Sequence, residues 1–141
     1  VREKYAKALQ VETLHTIEEE LNMSVGNGIE CIFCAIVNKQ IKANIVLESD
    51  GVVAFHDINK AAPIHLLIIP KEHVANLNDA SIDNSSILGE MLLTARELAF
   101  QFGLNESGYR VAMNTGRDAG QTVFHLHMHL LGGRHFSWPP G

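Results

Sequence analysis

The sequence predicts an α+β fold, a mainly antiparallel sheet of about five strands with one long covering helix and a short helix nearer the N-terminus. Short apolar runs bounded by Gly, Pro, Asn and Asp give the strands. Residues 84–102 repeat apolar side chains at three- and four-residue steps and give the long helix. The stretch Phe124-His125-Leu126-His127-Met128-His129-Leu130-Leu131 alternates histidine with apolar residues, the period of a strand whose two faces differ chemically.

Each element has its own signal. Residues 1–28 read as an accessory extension and linker: Leu14, Ile17 and Leu21 recur at helical spacing beside Glu18, Glu19 and Glu20, and Val25-Gly26-Asn27-Gly28 breaks the pattern. The main domain is expected over 29–141. Cys31 to Val37 is a short helix or turn, Ile45–Glu48 and Val52–Asp57 form a hairpin about Ser49-Asp50-Gly51, and His65–Ile69 is a strand ended by Pro70. In the long helix Ile87, Met91, Ala95, Leu98 and Phe102 share a face, and Gly103 supplies the stop. Tyr109–Met113 and Phe124–Leu131 complete the sheet, joined by a polar loop over 114–122.

Composition narrows the function classes. A chain of 141 residues with 46% hydrophobic content suits one domain with a single core. Eleven basic against 16 acidic residues, a formal charge of −5, argue against a nucleic-acid surface while leaving room for a local anion pocket. No apolar run is long enough to span a bilayer. Two cysteines only, Cys31 and Cys34, suit a reducing compartment with a metal or redox role, and a soluble, cytoplasmic protein is expected.

Three imidazoles on one strand face are a costly choice, since imidazole titrates near neutrality and resists burial without a partner. A metal site, a nucleophilic histidine with helpers, or a mixture of the two would each use them. Gly120, Gln121 and Thr122 immediately precede them, and the glycine lets a ligand approach main-chain N–H groups that receive anions, phosphate above all. Asp57 could either cap the turn after its strand or accept from a ribose diol. Cys31 and Cys34 offer two thiolates but need two further ligands to close a tetrahedral zinc site; two reduced, buried cysteines are the alternative.

Taken together, Phe55-His56-Asp57-Ile58, Ala62-Pro63-Ile64-His65, Ile69-Pro70-Lys71-Glu72-His73, Gly120-Gln121-Thr122-Val123-Phe124 and the histidine run resemble the histidine triad (HIT) nucleotide-binding superfamily over roughly residues 29–141. The ending Trp138-Pro139-Pro140-Gly141 resembles that of its Hint branch. The resemblance implies a homodimer whose sheet continues across the two-fold axis, a purine nucleotide (AMP or GMP) as substrate or product, and hydrolysis of purine nucleoside phosphoramidates. It implies His127 as nucleophile and His129 as the source of the leaving group's proton, tuned by His65. Thr122 stands beside the leaving group, where many relatives have serine. Asn114 and the backbone of Gly120, Gln121, Thr122 and Val123 would hold the phosphate. Asp57 would take the ribose, and Ile32, Phe33, Phe55 and Ile58 would line the base slot. No catalytic metal is implied. Structural zinc would be held by Cys31, Cys34, His73 and His125. Rival readings are a zinc hydrolase with His125, His127 and His129 on one ion, a nucleotide-binding interaction protein, and a dinucleoside polyphosphate hydrolase.

Overall fold

The computed structural model describes residues 31–141, so the expected N-terminal helix and its glycine break lie outside the described residues. The elements are helix α1 (Ile32–Val37), strands β1 (Ile45–Glu48), β2 (Val52–His56) and β3 (Ile64–Pro70), helix α2 (Ser85–Gln101), and strands β4 (Tyr109–Ala112) and β5 (Met128–Gly132). Two 3-10 turns, Leu77–Asp79 and Ile82–Asn84, lead into α2. The sheet has five strands in the order β1-β2-β3-β5-β4, every pair antiparallel. The expected α+β architecture is thus the observed one.

Both faces of the sheet are covered. Along β2, Val53 and Phe55 join Leu67 and Ile69 of β3 in a cluster closed by Phe33 and Ile36 of α1. Val52 and Ala54 point the other way, where Leu66, Ile68, Met128 and Leu130 meet Met91, Ala95 and Leu98 of α2. Double burial explains why β2 and β3 are almost continuous apolar runs without polar alternation.

α2 ends as its sequence predicts. Gly103 takes φ +72. Its N–H donates to the Phe100 carbonyl at 3.1 Å, and the Leu104 N–H donates to that of Ala99 at 2.7 Å. The pair of bonds is a Schellman stop, available to glycine because the left-handed region carries no Cβ penalty there. Leu104 then folds onto β5, where a Cβ on Gly132 would stand 2.5 Å from its Cδ1.

Apart from the start of the histidine strand, the strand limits lie within one residue of expectation, and two of the differences have a local reason. The hairpin strand stops at His56 because Asp57 turns its Oδ1 to accept the Asn59 N–H at 2.9 Å. The histidine strand begins at Met128, not Phe124. Its partner β3 ends at Pro70, which offers no N–H, and the Leu126 N–H donates instead to the Val74 carbonyl at 2.6 Å. The alternation of faces survives this departure: Leu126, Met128 and Leu130 all lie in the α2-side core.

Candidate active site and metal centre

The three histidines after the 114–122 loop diverge into two sites. His125 is fully buried, and its Nε2 lies 2.8 Å from the Pro70 carbonyl. A carbonyl only accepts, so that nitrogen carries the proton and the Nδ1 lone pair faces away. It faces Cys31 Sγ at 3.4 Å, Cys34 Sγ at 3.5 Å and His73 Nδ1 at 3.1 Å, while Cys34 Sγ lies 3.3 Å from His73 Nδ1. A tetrahedral zinc ion with ordinary bond lengths would set S···N edges at about 3.5 Å and N···N edges at about 3.3 Å. The four atoms, all within 4.8 Å of one another, fit such a metal.

The electrostatics agree with a cation between them. Burial, followed by the neighbouring charge of Cys31, pushes the Cys34 thiol up to about 12, so two adjacent thiolates need a positive charge to coexist. Burial chiefly, with smaller contributions from His73 and His127, lowers His125 to about 4, against the opposing effect of its bond to Pro70. A neutral imidazole is the form that ligates. α1 supplies the scaffold: its N-cap is Cys31, whose Sγ receives the Cys34 N–H at 3.4 Å.

His127 belongs to the other site. It is 3% exposed, its Nδ1 lies 2.7 Å from the His125 carbonyl, and its ring meets the edge of Phe33 at a centroid distance of 5.2 Å. By the same logic the proton sits on Nδ1 and the lone pair on Nε2. Beside it, at a ring distance of 5.1 Å, His129 places Nδ1 2.8 Å from Nε2 of His65. His65 Nδ1 accepts the Ala61 N–H at 3.0 Å, so the His65 proton is on Nε2 and points at His129. His129 therefore accepts at Nδ1 and carries its own proton on Nε2. Asp57, 3% exposed, brings Oδ2 to 3.4 Å of the same His65 Nε2. Asp57, His65 and His129 also cluster as metal-type ligands, but the 2.8 Å contact is a hydrogen bond with a proton in it, shorter than a metal-bridged N···N edge of about 3.3 Å.

The divergence rules against the single-ion arrangement of all three triad histidines. Their Nδ1 atoms point to a cysteine cluster, a carbonyl and another histidine respectively.

The loop is built by its own residues. Gly120 N–H donates to the Arg117 carbonyl and Gln121 N–H to that of Gly116, both at 3.0 Å. The buried Gln121 side chain accepts from Gly116 N–H at 2.9 Å and donates to the carbonyls of Ala75 at 2.9 Å and Val123 at 3.1 Å. Gln121 thus braces the loop. Ile32, Phe33 and Phe55 are buried in the α1-side core, with Ile58 packed against it. Asp57 and Ile58 both line a cavity of about 410 Å³ at the end of β2. Residue-level reading missed the groups that set the histidine protons, the Pro70 carbonyl and the Ala61 N–H. Backbone atoms leave no compositional trace.

Comparison with known proteins accords with this geometry. A HIT domain model matches residues 38–136. An uncharacterized HIT-like protein of Synechococcus elongatus is 50% identical over 112 residues, 79% of this chain and 97% of the relative. The purine nucleoside phosphoramidase of Escherichia coli K12 is 48% identical over 105 residues, covering 74% of this chain and 88% of the relative. The crystal structure of a HIT family hydrolase from Legionella pneumophila superposes with a TM-score of 0.78 at 49% identity, covering 79% and 99% of the two chains. Histidines with assigned protons, the sheet that carries them and these matches lead to one statement: this chain belongs to the HIT family.

Proposed function

We propose that the protein hydrolyses purine nucleoside 5′-phosphoramidates, AMP joined to an amine or to lysine being the type, through a nucleotidyl-histidine intermediate. The observation that carries the reading is the placement of His127, a buried imidazole whose Nδ1 lies 2.7 Å from the His125 carbonyl, so that Nδ1 donates and the neutral ring keeps its lone pair on Nε2. His127 Nε2 attacks the α-phosphorus, the P–N bond breaks, and the amine departs with the bonding electrons. The leaving nitrogen takes its proton through His129 Nε2, a step of the kind worth about 10²–10⁴ in rate. The positive charge that His127 acquires on nucleotidylation lies next to the proton-depleted His129 and stabilises it between steps. Water then attacks the phosphorus, returns one proton to His129 and releases the nucleoside monophosphate. Asp57 serves the ribose and Ile58 the base beside it, with Ile32, Phe33 and Phe55 as the apolar wall. Asn114, Gly120, Val123 and Thr122 shape the phosphate side, where the Thr122 hydroxyl faces the leaving group. Zinc at Cys31, Cys34, His73 and His125 is structural, and no step passes through it.

The E. coli relative's name and its 48% identity support the substrate class. Steady-state hydrolysis of an adenosine 5′-phosphoramidate with a fluorescent amine tests it. Wild type should turn over in the presence of chelator, and His127→Ala should lose at least about 10³-fold in kcat, as expected when a covalent nucleophile is removed, while still binding AMP. Substantial turnover by His127→Ala would reject the nucleophile, and an inert, folded wild type would reject the substrate class.

A further inference from the structure

The segment after β5 turns back over the loop between β2 and β3. Arg134 brings Nε to 3.0 Å and Nη2 to 2.9 Å of the Ala61 carbonyl oxygen, two donors on one acceptor. Its guanidinium lies 4.2 Å above the Phe136 ring, which also meets Arg110 at 5.1 Å, and Arg110 donates to the Ser137 carbonyl at 3.0 Å. This close passage uses a glycine: at Gly133, φ +90, a Cβ would stand 2.9 Å from Pro63 Cβ. Ala61 is also the residue whose N–H occupies His65 Nδ1. Asp57 N–H to the His65 carbonyl closes the loop and Asn59 N–H to Asp57 Oδ1 braces its start, both at 2.9 Å, and neither bond holds residue 61.

We infer that Arg134 is a positioning residue for His129, acting through Ala61 and His65. Holding residue 61 by its carbonyl keeps its N–H on His65 Nδ1, which keeps the His65 proton on Nε2 and the His129 proton on its own Nε2. When residue 61 moves away, the longer contact to Asp57 Oδ2, at 3.4 Å, still favours Nε2, but part of the His65 population carries its proton on Nδ1. Its Nε2 then accepts from His129 Nδ1–H, and His129 loses the proton that faces the leaving group. The two imidazoles keep their contact while their proton addresses invert. The inference rests on the role of His129 proposed above.

Leaving-group dependence separates this role from a merely structural one. Two AMP amides serve as probes, one of an alkylamine that needs its proton to depart and one of an electron-poor arylamine that needs it far less. In Arg134→Ala, kcat for the alkylamide should fall on the order of tenfold, a fraction of the ~10²–10⁴ a general acid supplies, with KM unchanged and the arylamide changed by less than about twofold. Arg134→Lys, still able to donate to Ala61, should recover most of the loss. The imidazole 15N spectrum should show His129 protonated at Nε2 in wild type and shifted toward Nδ1 in Arg134→Ala. Equal loss on both amides, or an unchanged 15N spectrum, overturns the inference. If Arg134→Ala does not fold, Gly133→Ala displaces the same segment at Pro63 and should give the same selective loss; an unselective one there overturns it equally. Failure of wild type to cleave either amide would remove the proposed activity, while the 15N comparison would still decide the inference.

Discussion

His125, His127 and His129 share a residue type and a spacing of two, yet each has a different Nδ1 partner. Their types and their alternation with Leu126, Met128 and Leu130 are legible in the sequence; their proton positions are not, since Pro70, Ala61 and His125 act through backbone atoms. Asp57 shows the same limit. Of its two sequence readings the turn cap is the observed one, Oδ1 taking the Asn59 N–H, while Oδ2 faces His65. At this scale His65→Gln is the informative substitution. Its amide retains a donor for His129 but cannot reproduce the ring's fixed geometry, so kcat for an alkyl phosphoramidate should fall on the order of tenfold or more while AMP affinity, measured by calorimetry, stays constant.

Among the elements, α1 is the one whose purpose exceeds its length. Six residues long, it presents its N-cap thiol and Cys34 to two histidines from elsewhere in the chain. Purified protein should carry stoichiometric zinc by mass spectrometry, and Cys34→Ser should lose it together with thermal stability, because a ligand set made only in the fold turns binding energy into folding energy. A metal-free wild type, equally stable with and without added zinc, would reject the site. α2 and β5 meet at Leu104 over Gly132, and there an added methyl has nowhere to go. Gly132→Ala should cost about 1–3 kcal/mol, read as a lower urea midpoint at constant m-value. The helix stop at Gly103 could be read from sequence. The tight seat of Leu104 could not, because it depends on where a residue 28 positions later is placed by β-pairing (132 − 104 = 28).

At the scale of the whole molecule, the sheet order leaves β4 at an edge, with Tyr109 exposed, and α2 exposes Leu92, Leu93 and Phe100. Among the described residues the outer edge of β4 has no partner strand, and α2 exposes apolar side chains of its own; on these two features we propose the homodimer that the family resemblance implies. Light scattering should give twice the chain mass, and Phe100→Glu should shift the population toward monomer; a wild-type monomer at micromolar concentration would refute it. Among the described residues no helix is long and apolar enough to cross a membrane. The architecture was legible because both-face burial writes continuous apolar runs into β2 and β3, and the helical repeat marks α2. The departure of Phe124–His127 from the ladder was hidden, since it follows from where the partner strand ends and not from those residues themselves.

Three of the contacts that fix the histidine protons end on main-chain atoms: the carbonyls of Pro70 and His125 and the N–H of Ala61. Every residue has a carbonyl, and all but proline have an N–H, so no side-chain replacement at position 70 erases its acceptor. In a saturation scan, positions 61 and 70 should tolerate many residues, with proline excluded at 61. Intolerance should fall on the imidazoles themselves and on residues that steer the chain, such as Gly133. Apart from the imidazoles themselves, these contacts are thus stored where mutation reaches them only by bending the backbone.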